Sequence, residues 1–113
     1  MDKATRYRQL IKGILTKYAR LVSKQPELGV EPHLIFDEER DEYLWVQTGW
    51  SNQHRTHGVT LHIRLRNGKI WIEQDWTEDG IATDLLKAAV PNEDIVLAFY
   101  EPETRSMTEF AIA

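Results

Sequence analysis

Two runs of alternating apolar and polar residues, 59–66 and 69–75, flank the dipeptide Asn67-Gly68. Asn-Gly between alternating runs is the strongest short-range hairpin signal, because a type I′ turn needs a positive φ at both central residues. The turn also predicts which residues of the two strands face each other. The predicted pairs are Arg66–Lys69, Leu65–Ile70, Arg64–Trp71, Ile63–Ile72, His62–Glu73 and Leu61–Gln74.

Side chains alternate between the two faces of a strand, so this register divides the hairpin into an apolar and a mixed face. The apolar face is predicted to lie in the core and carries Leu61, Ile63, Leu65, Ile70 and Ile72. The other face carries His62, Arg64, Arg66, Lys69, Trp71, Glu73 and Asp75. On this mixed face the register predicts a cation–π contact between Arg64 and Trp71 and a pair between His62 and Glu73.

An acidic turn follows the hairpin and precedes a short amphipathic helix predicted over residues 81–90, with Ile81, Leu85, Leu86 and Ala89 inward. The turn consists of Asp75, Trp76, Thr77, Glu78, Asp79 and Gly80. Its carboxylates are the ligand type that hard cations prefer. Acidic residues are, however, also favoured at a helix start by the helix dipole. We therefore interpret the turn as a helix start, capped by Asp79 or Thr77.

The remaining pattern predicts an N-terminal helix over residues 2–23, with an apolar stripe at three- and four-residue steps. Residues 30–37 and 43–50 are predicted strands, and Pro32 places the first at a sheet edge. Between them, residues 37–42 are predicted to form a solvated turn, and residues 51–58 a polar loop. Residues 95–100 are a predicted buried strand, and the apolar C-terminus is expected to dock on the body. The apolar stripe of the N-terminal helix consists of Leu10, Ile11, Ile14, Leu15, Tyr18, Leu21 and Val22.

These elements predict one α+β domain over residues 1–113: an antiparallel sheet of about four to five strands, with a long N-terminal helix and a second, shorter helix on one face.

Charge is unevenly distributed along the chain. Residues 1–24 carry seven Lys/Arg and one acidic residue, whereas the remainder carries 7 bases and 17 acids. We expect the basic helix to pack on the acidic body, because an acidic body repels DNA.

Aromatic residues point to an interaction surface. All four tryptophans lie within residues 45–76, and the predicted register places Trp45 and Trp71 on the face away from the core. Exposed aromatics on a sheet face are typical of partner-binding surfaces. We therefore predict a partner or dimer surface comprising Trp45, Arg64, Trp71 and Glu73. The alternative is that the C-terminal segment covers these side chains.

Patterns for catalysis or cofactor binding are weak. The chain has no cysteine, which fits a cytoplasmic protein and excludes thiol chemistry. His54, His57 and His62 lack the fixed scaffold of a zinc site. Ser51 lies near His54 without the features of an activated nucleophile, and no glycine-rich phosphate loop is present.

A possible nucleic-acid patch on the hairpin consists of Arg55, Arg64, Arg66 and Lys69, with Trp71 for stacking. The neighbouring carboxylates of Glu73 and Asp75 reduce its positive charge. We predict no catalytic residue, cofactor or metal, and no membrane span.

Sequence motifs along nearly the whole chain resemble those of the XisI family, named as controlling factors for excision of the fdxN DNA element. They are M-D-K-x-T-x-Y-R at 1–8, H-L-I-F-D-x-E-R-D at 33–41, Y-x-x-V-x-x-G-W at 43–50, G-K-I-W-I-E-Q-D-W-T-E-D-G-I-A at 68–82, V-P-x-E-D-I-V-L at 90–97 and T-x-F-A-I-A at 108–113.

This resemblance implies a cytoplasmic, mainly cyanobacterial protein with a role in programmed DNA rearrangement. It implies that a site-specific recombinase performs strand exchange, while the XisI-like protein, with a companion of the XisH family, modulates it. The resemblance provides no catalytic residues. We therefore expect a non-enzymatic homodimeric factor acting through a XisH-like partner. The alternatives are a DNA-binding accessory factor and a small-ligand-binding or catalytic domain that uses the turn of residues 75–79.

Overall fold

A computed structural model describes all 113 residues, from Met1 to Ala113. The two single 3₁₀ turns are Pro26–Leu28 and Asn92–Asp94. No helix combines the length and the hydropathy needed to cross a membrane. In chain order the elements are α1 (Lys3–Ser23), β1 (Val30–Asp37), β2 (Glu42–Ser51), β3 (His54–Arg66), β4 (Lys69–Asp75), α2 (Ile81–Lys87), β5 (Ile95–Leu97) and α3 (Pro102–Arg105).

The five strands form one sheet in the order β1-β2-β3-β4-β5. The first four are antiparallel neighbours, whereas β5 pairs with β4 in parallel. A parallel neighbour requires a crossover connection, and α2 lies in it. The predicted α+β fold is confirmed, with a mixed sheet in which only β5 departs from the antiparallel pattern. Pro32 lies on the edge strand β1, as predicted.

The central hairpin has the predicted turn and most of the predicted register. Asn67 and Gly68 have φ values of 52° and 73°. The four pairs nearest the turn are as predicted, and the five apolar residues of the predicted core face are all buried. A bulge between His62 and Ile63 then shifts the register, so His62 faces Gln74 and Leu61 faces Asp75. The predicted pairs His62–Glu73 and Leu61–Gln74 are therefore wrong.

A second hairpin replaces the polar loop predicted over residues 51–58. β2 and β3 run to Ser51 and from His54, and Asn52 and Gln53 join them with φ values of 49° and 68°. The residues before Val59 are polar on both faces because this part of β3 extends past β4, whose pairing ends at Leu61. Hydrophobic alternation therefore gave no strand signal here.

The helix α1 packs on the sheet through Tyr7, Ile11 and Leu15, all fully buried. Asp2 caps the helix by accepting a hydrogen bond from the Thr5 backbone N–H at 2.7 Å. Leu21, predicted to face the core, is 46% exposed, whereas its neighbours Tyr18 and Val22 pack against the core cluster. The core cluster also contains Ile81, Leu85, Val90 and Ile95, so α1 and α2 share one core.

Basic residues of α1 pair with acidic residues of the body, which supports the predicted complementarity. Three such pairs form: Lys3–Asp94 at 2.9 Å, Arg8–Asp41 at 2.7 Å and Lys12–Glu38 at 2.5 Å. Asp41 also accepts a hydrogen bond from the Tyr43 hydroxyl at 2.9 Å. The segment between β1 and β2 is an exposed turn at residues 38–40, as predicted, and its Glu38 and Asp41 also bind the helix.

Beyond the hairpins, two elements are shorter than predicted. Helix α2 ends at Lys87, and Ala89, predicted to face inward, is exposed with a φ of 68°. Strand β5 ends at Leu97, after which the chain turns and leaves Phe99 and Tyr100 largely exposed. The C-terminus is docked as predicted: Phe110 packs on the core, and Ala111 forms a bridge with Val96.

Candidate functional site

The helices α1 and α2 pack on one face of the sheet. The opposite face, here called the outer face, has a helical contact only at β4, where Arg105 of α3 lies over Trp71. Its apolar part runs across three strands. Ile35 is paired with Leu44, and Val46 with Val59. Ile35 is 50% exposed, and the other three are half-buried. Four aliphatic side chains on an uncovered face are suited to contact another protein surface.

Charged residues lie beside this apolar part. Arg64 lies between two carboxylates, 3.7 Å from Glu42 and 3.7 Å from Glu73. His62 Nε2 lies 2.8 Å from the Glu42 carboxylate. The structure therefore brings the predicted residues Arg64 and Glu73 together. It also adds Glu42, which the sequence pattern had placed in a solvated turn rather than at the start of β2.

Trp71 lies on the outer face, as predicted, but its cationic neighbours differ from the prediction. The guanidinium of Arg66 lies 5.1 Å from the ring centroid and that of Arg105 lies 5.7 Å away. The indole N–H donates to the backbone carbonyl of Arg66 at 3.2 Å. The predicted Arg64–Trp71 cation–π contact is wrong, because the two flanking carboxylates hold Arg64.

The C-terminal segment covers part of the outer face. Val96 pairs with Trp71 in register and is fully buried, yet it is not a member of the core cluster between helix and sheet. Ala111 forms a bridge with Val96, and Arg105 contacts Trp71 from α3. Both interpretations considered for Trp71 therefore apply in part: the C-terminal segment covers one side of it, and the other side is half-exposed.

Trp45 does not belong to the outer face, so its assignment to the predicted partner surface is wrong. It is only 4% exposed and stacks on Tyr18 of α1, with ring centroids 5.9 Å apart. Both faces of β2 are apolar, with Tyr43 and Trp45 on one and Leu44 and Val46 on the other. The larger, aromatic face lies under the helix because it buries more apolar surface there.

The acidic turn is organised by Asp75. One oxygen of this carboxylate accepts hydrogen bonds from the Thr77 backbone N–H (2.9 Å) and hydroxyl (2.5 Å). The other accepts from the Ile81 backbone N–H at 2.7 Å. Asp75 thus provides the capping carboxylate, and the predicted caps Asp79 and Thr77 are wrong, since the helix follows Gly80 with no side-chain cap of its own.

The other acidic side chains of the turn point into solvent. Glu78 and Asp79 are exposed, and Trp76 is 75% exposed. No three His, Asp or Glu residues of the chain converge in a way that could hold a metal ion. The structure therefore gives the turn a structural role at Asp75 and leaves a large exposed indole at Trp76.

Each basic side chain of the predicted patch makes contacts within the protein. Arg64 is engaged by carboxylates, Arg66 lies over Trp71, Arg55 lies over Trp50 at 5.6 Å, and Lys69 Nζ donates to the Ala113 carbonyl. Arg66 and Lys69 are paired beside the Asn67-Gly68 turn, whereas Arg55 lies on the other hairpin. The histidines are also separate, since His54 and His57 are exposed on β3 whereas His62 is bound to Glu42.

Comparison with known proteins identifies the family. The model of the family described as XisI protein matches residues 1–112. The crystal structure of the fdxN element excision controlling factor XisI from Anabaena variabilis is 45% identical, with a TM-score of 0.84, and the match covers 99% of this chain and 100% of that one.

A second crystal structure, of a XisI-like protein from Anabaena variabilis, is 38% identical with a TM-score of 0.86, and the match covers 97% of this chain and 99% of that one. No curated protein matches the chain. The match to the family model spans nearly all residues, and the two structures share both sequence and fold with the whole chain. This protein therefore belongs to the XisI family.

Proposed function

We propose that this protein is a non-enzymatic controlling factor for the site-specific excision of a DNA element. The observation that carries the proposal is its 45% identity, over 99% of the chain, with a protein named as an fdxN element excision controlling factor. In this proposal a site-specific recombinase performs strand exchange in the cytoplasm, and the present protein determines whether the recombinase acts.

The outer face is the surface through which we propose that the protein acts. It combines an apolar part (Ile35, Leu44, Val46 and Val59) with an adjoining charged part (Glu42, His62, Arg64 and Glu73). Protein interfaces are built in this way, with an apolar centre that excludes water and polar groups that determine orientation. A XisH-like protein is the proposed heterologous partner, and a second copy of the chain is the proposed homodimer partner.

The test is co-expression with a XisH-like protein from the same genome, followed by pull-down and sizing. Ile35→Glu places a charge in the apolar part of the outer face, where Ile35 is 50% exposed. Leu21→Glu is the matched control, because Leu21 is 46% exposed on α1. We expect the wild type and Leu21→Glu to retain the partner and Ile35→Glu to lose it. Equal retention by both variants contradicts the outer face as the binding surface.

Excision itself is measured with a reporter element in a host that expresses the recombinase and the XisH-like protein. We expect excision only when the present protein is added, and we expect Ile35→Glu to abolish it. Excision that proceeds equally without the protein contradicts the proposed function. Retardation of element-end DNA by the pure protein, with a steep salt dependence, would instead favour the DNA-binding alternative.

A further inference from the structure

The sheet has one long edge that is not hydrogen-bonded. In the strand order, β1 and β5 form the two edges. Strand β5 has only three residues, and the C-terminal segment reaches it through the bridge between Val96 and Ala111. Strand β1 has eight residues and pairs with β2 on one side, and no other backbone hydrogen bond reaches it. A long free edge is a site for pairing with another strand.

The free backbone groups of β1 belong to its even-numbered residues. The Trp50 N–H donates to the Gly29 carbonyl at 3.1 Å, so these two residues form a hydrogen-bonded pair at the start of the β1–β2 ladder. Such pairs alternate with non-hydrogen-bonded pairs, so the odd-numbered residues of β1 bond to β2 and the even-numbered ones point away from it. Leu34 and Phe36 therefore each present an N–H donor and a carbonyl acceptor to the free edge, whereas Pro32 presents only an acceptor.

The apolar side chains of this edge are incompletely covered on both faces of the sheet. Leu34 and Phe36 pack against the core cluster but are only half-buried. Ile35 lies on the outer face and is 50% exposed. A strand added beside β1 would cover all three side chains, and burial of apolar surface is the main favourable contribution to association.

The flank of α1 beside β1 leaves room for a second helix. Lys12 pairs with the turn that follows β1, and Ser23 lines an open groove together with Val30 at the start of the strand. This flank therefore follows the whole strand. Thr16 and Ala19 lie between its ends, because residues three and four apart are neighbours on a helix surface. These side chains are short, and the distance between two packed helices depends on the side chains at the contact.

We propose that two copies of the chain pair through β1 about a two-fold axis, which joins two five-stranded sheets into one of ten strands. The inference rests on the proposed function for the homodimer and specifies how that homodimer forms. The outer faces of the two copies then adjoin at Ile35 and remain open to a XisH-like partner.

The position of Pro32 determines the register of this pairing. If Ile35 lies at the two-fold axis, Leu34 faces Phe36 of the second copy, and each of these two pairs exchanges both of its N–H···O bonds. Pro32 then lies beyond the paired residues. A register centred closer to Pro32 would place this residue inside the ladder, where it has no N–H to donate and its ring approaches the opposite backbone.

The same register matches the side chains of the two copies. Ile35 faces its own equivalent at the close spacing of a non-hydrogen-bonded pair. His33 faces Asp37 of the second copy, so that an imidazole lies opposite a carboxylate on each side of the isoleucines. On the helix side, Leu34 and Phe36 of both copies form one apolar group. A two-fold dimer requires a surface that is complementary to itself, so these matches favour a second copy as the occupant of the edge.

Disulfide trapping tests the register directly, because the chain has no cysteine. Ile35→Cys gives one thiol per chain, and in the proposed dimer the two thiols lie within the range of a disulfide. Under mild oxidation we expect a covalent dimer to form about tenfold faster than from Leu21→Cys, because pairing raises the effective concentration of the thiols. Leu21 is similarly exposed on α1 and measures random collision. Leu44→Cys, one strand further in on the same face, should not exceed that background. A mixture of His33→Cys and Asp37→Cys should form a disulfide between the two variants.

Sedimentation equilibrium of the full-length protein tests the association without cysteines. We expect the wild type to be a dimer, and Ile35→Glu and Ile35→Lys to be monomers, because each variant places like charges directly opposite one another. An equimolar mixture of the two variants should dimerise again, since the facing charges are then opposite. Circular dichroism checks that both variants are folded, which we expect because Ile35 is 50% exposed.

Three results would each overturn the proposal: a monomeric wild type, Ile35→Cys cross-linking no faster than Leu21→Cys, or a mixture of the charged variants that stays monomeric. These measurements use neither the XisH-like protein nor DNA, so their failure is distinct from failure of the proposed function. A dimer that forms with this register but does not support excision would contradict the proposed function and leave the pairing through β1 in place.

Discussion

The two halves of α1 contact the rest of the protein in different ways. In the first half, Tyr7, Ile11 and Leu15 are fully buried, the Tyr7 hydroxyl donates to Asp94 at 2.5 Å, and Arg8 donates to Asp41 at 2.7 and 3.0 Å. In the second half, Tyr18 and Val22 are half-buried and border an open groove of about 260 Å³.

This difference follows from what lies opposite each half of the helix. The first half lies between the turn that joins β1 to β2, which holds Asp41, and the residue before β5, Asp94. The second half faces the part of the sheet that extends past the end of β4. Dense packing and paired polar groups stabilise one end, whereas the other end borders open space. The helix thus joins a densely packed region to a loosely packed one.

Truncation of one apolar residue in each half gives the largest predicted contrast. Ile11→Ala should lower the free energy of unfolding by about 2–5 kcal/mol, because it leaves a cavity in a densely packed core. Val22→Ala should lower it by about 1 kcal/mol or less, because Val22 already borders open space. Urea denaturation measures both values. Equal losses would mean that the two halves of the helix are equally packed.

Removal of the Asp41 charge tests the polar contacts of the first half. Asp41→Asn removes the acceptor charge for Arg8 but suits the backbone, because Asn, like Asp, tolerates the φ of 55° at this position. We expect a loss of about 2 kcal/mol, since the half-buried Asp41 carboxylate accepts charge-assisted hydrogen bonds from Arg8 and one from the Tyr43 hydroxyl. Glu38→Gln is the control in the same turn, and its exposed pair with Lys12 should contribute about 0.5 kcal/mol or less.

The same carboxylate predicts a dependence of stability on acid pH. The hydrogen bonds from Arg8 hold the pKa of Asp41 below its ordinary value of 3.8. A lowered folded-state pKa contributes stability that is fully present above the unfolded-state value and is lost as the pH falls through the folded-state value. The difference in unfolding free energy between the wild type and Asp41→Asn should therefore shrink below about pH 4. A difference that stays constant from pH 7 to pH 2.5 would contradict this account.

Local sequence patterns predicted those parts of the fold that are determined by residues close together in the chain. Asn67-Gly68 predicted its turn, because few other dipeptides adopt a positive φ twice at so little cost. The Asn52-Gln53 turn was missed, because Gln rarely adopts such a φ and the flanking strands lack alternation. The bulge at His62 was missed as well, since it arises from pairing between distant strands. Such features depend on tertiary context, which outweighs local propensity.

The candidate site was predicted less completely, and Trp45 shows why. Alternation along β2 separates two faces, but both are apolar, so the sequence leaves open which of them the helix covers. Asp75 illustrates a second cause. Its capping of Ile81 spans six residues, beyond the three-residue spacing of an ordinary capping pattern. The buried atoms of Trp45 and Gln47 that lack a partner can be identified only from the folded structure.

Replacement of Gln47 and, separately, of Gln74 by leucine compares a buried glutamine oxygen that has no partner with a glutamine that is hydrogen-bonded. This comparison has the smallest predicted effect and is the most specific. Gln47→Leu should raise the free energy of unfolding by about 1 kcal/mol, because it replaces a buried acceptor without a partner by an apolar group of similar size. Gln74→Leu is the matched control, because Gln74 Nε2 donates to the Val59 carbonyl at 2.5 Å. This control should lose about 1 kcal/mol, since it leaves that carbonyl without its donor.

Thermal or urea denaturation measures the change in the free energy of unfolding for both variants. Changes of opposite sign would show that the polar side chain of Gln47 destabilises the protein. Equal losses would mean that Gln47 is already satisfied.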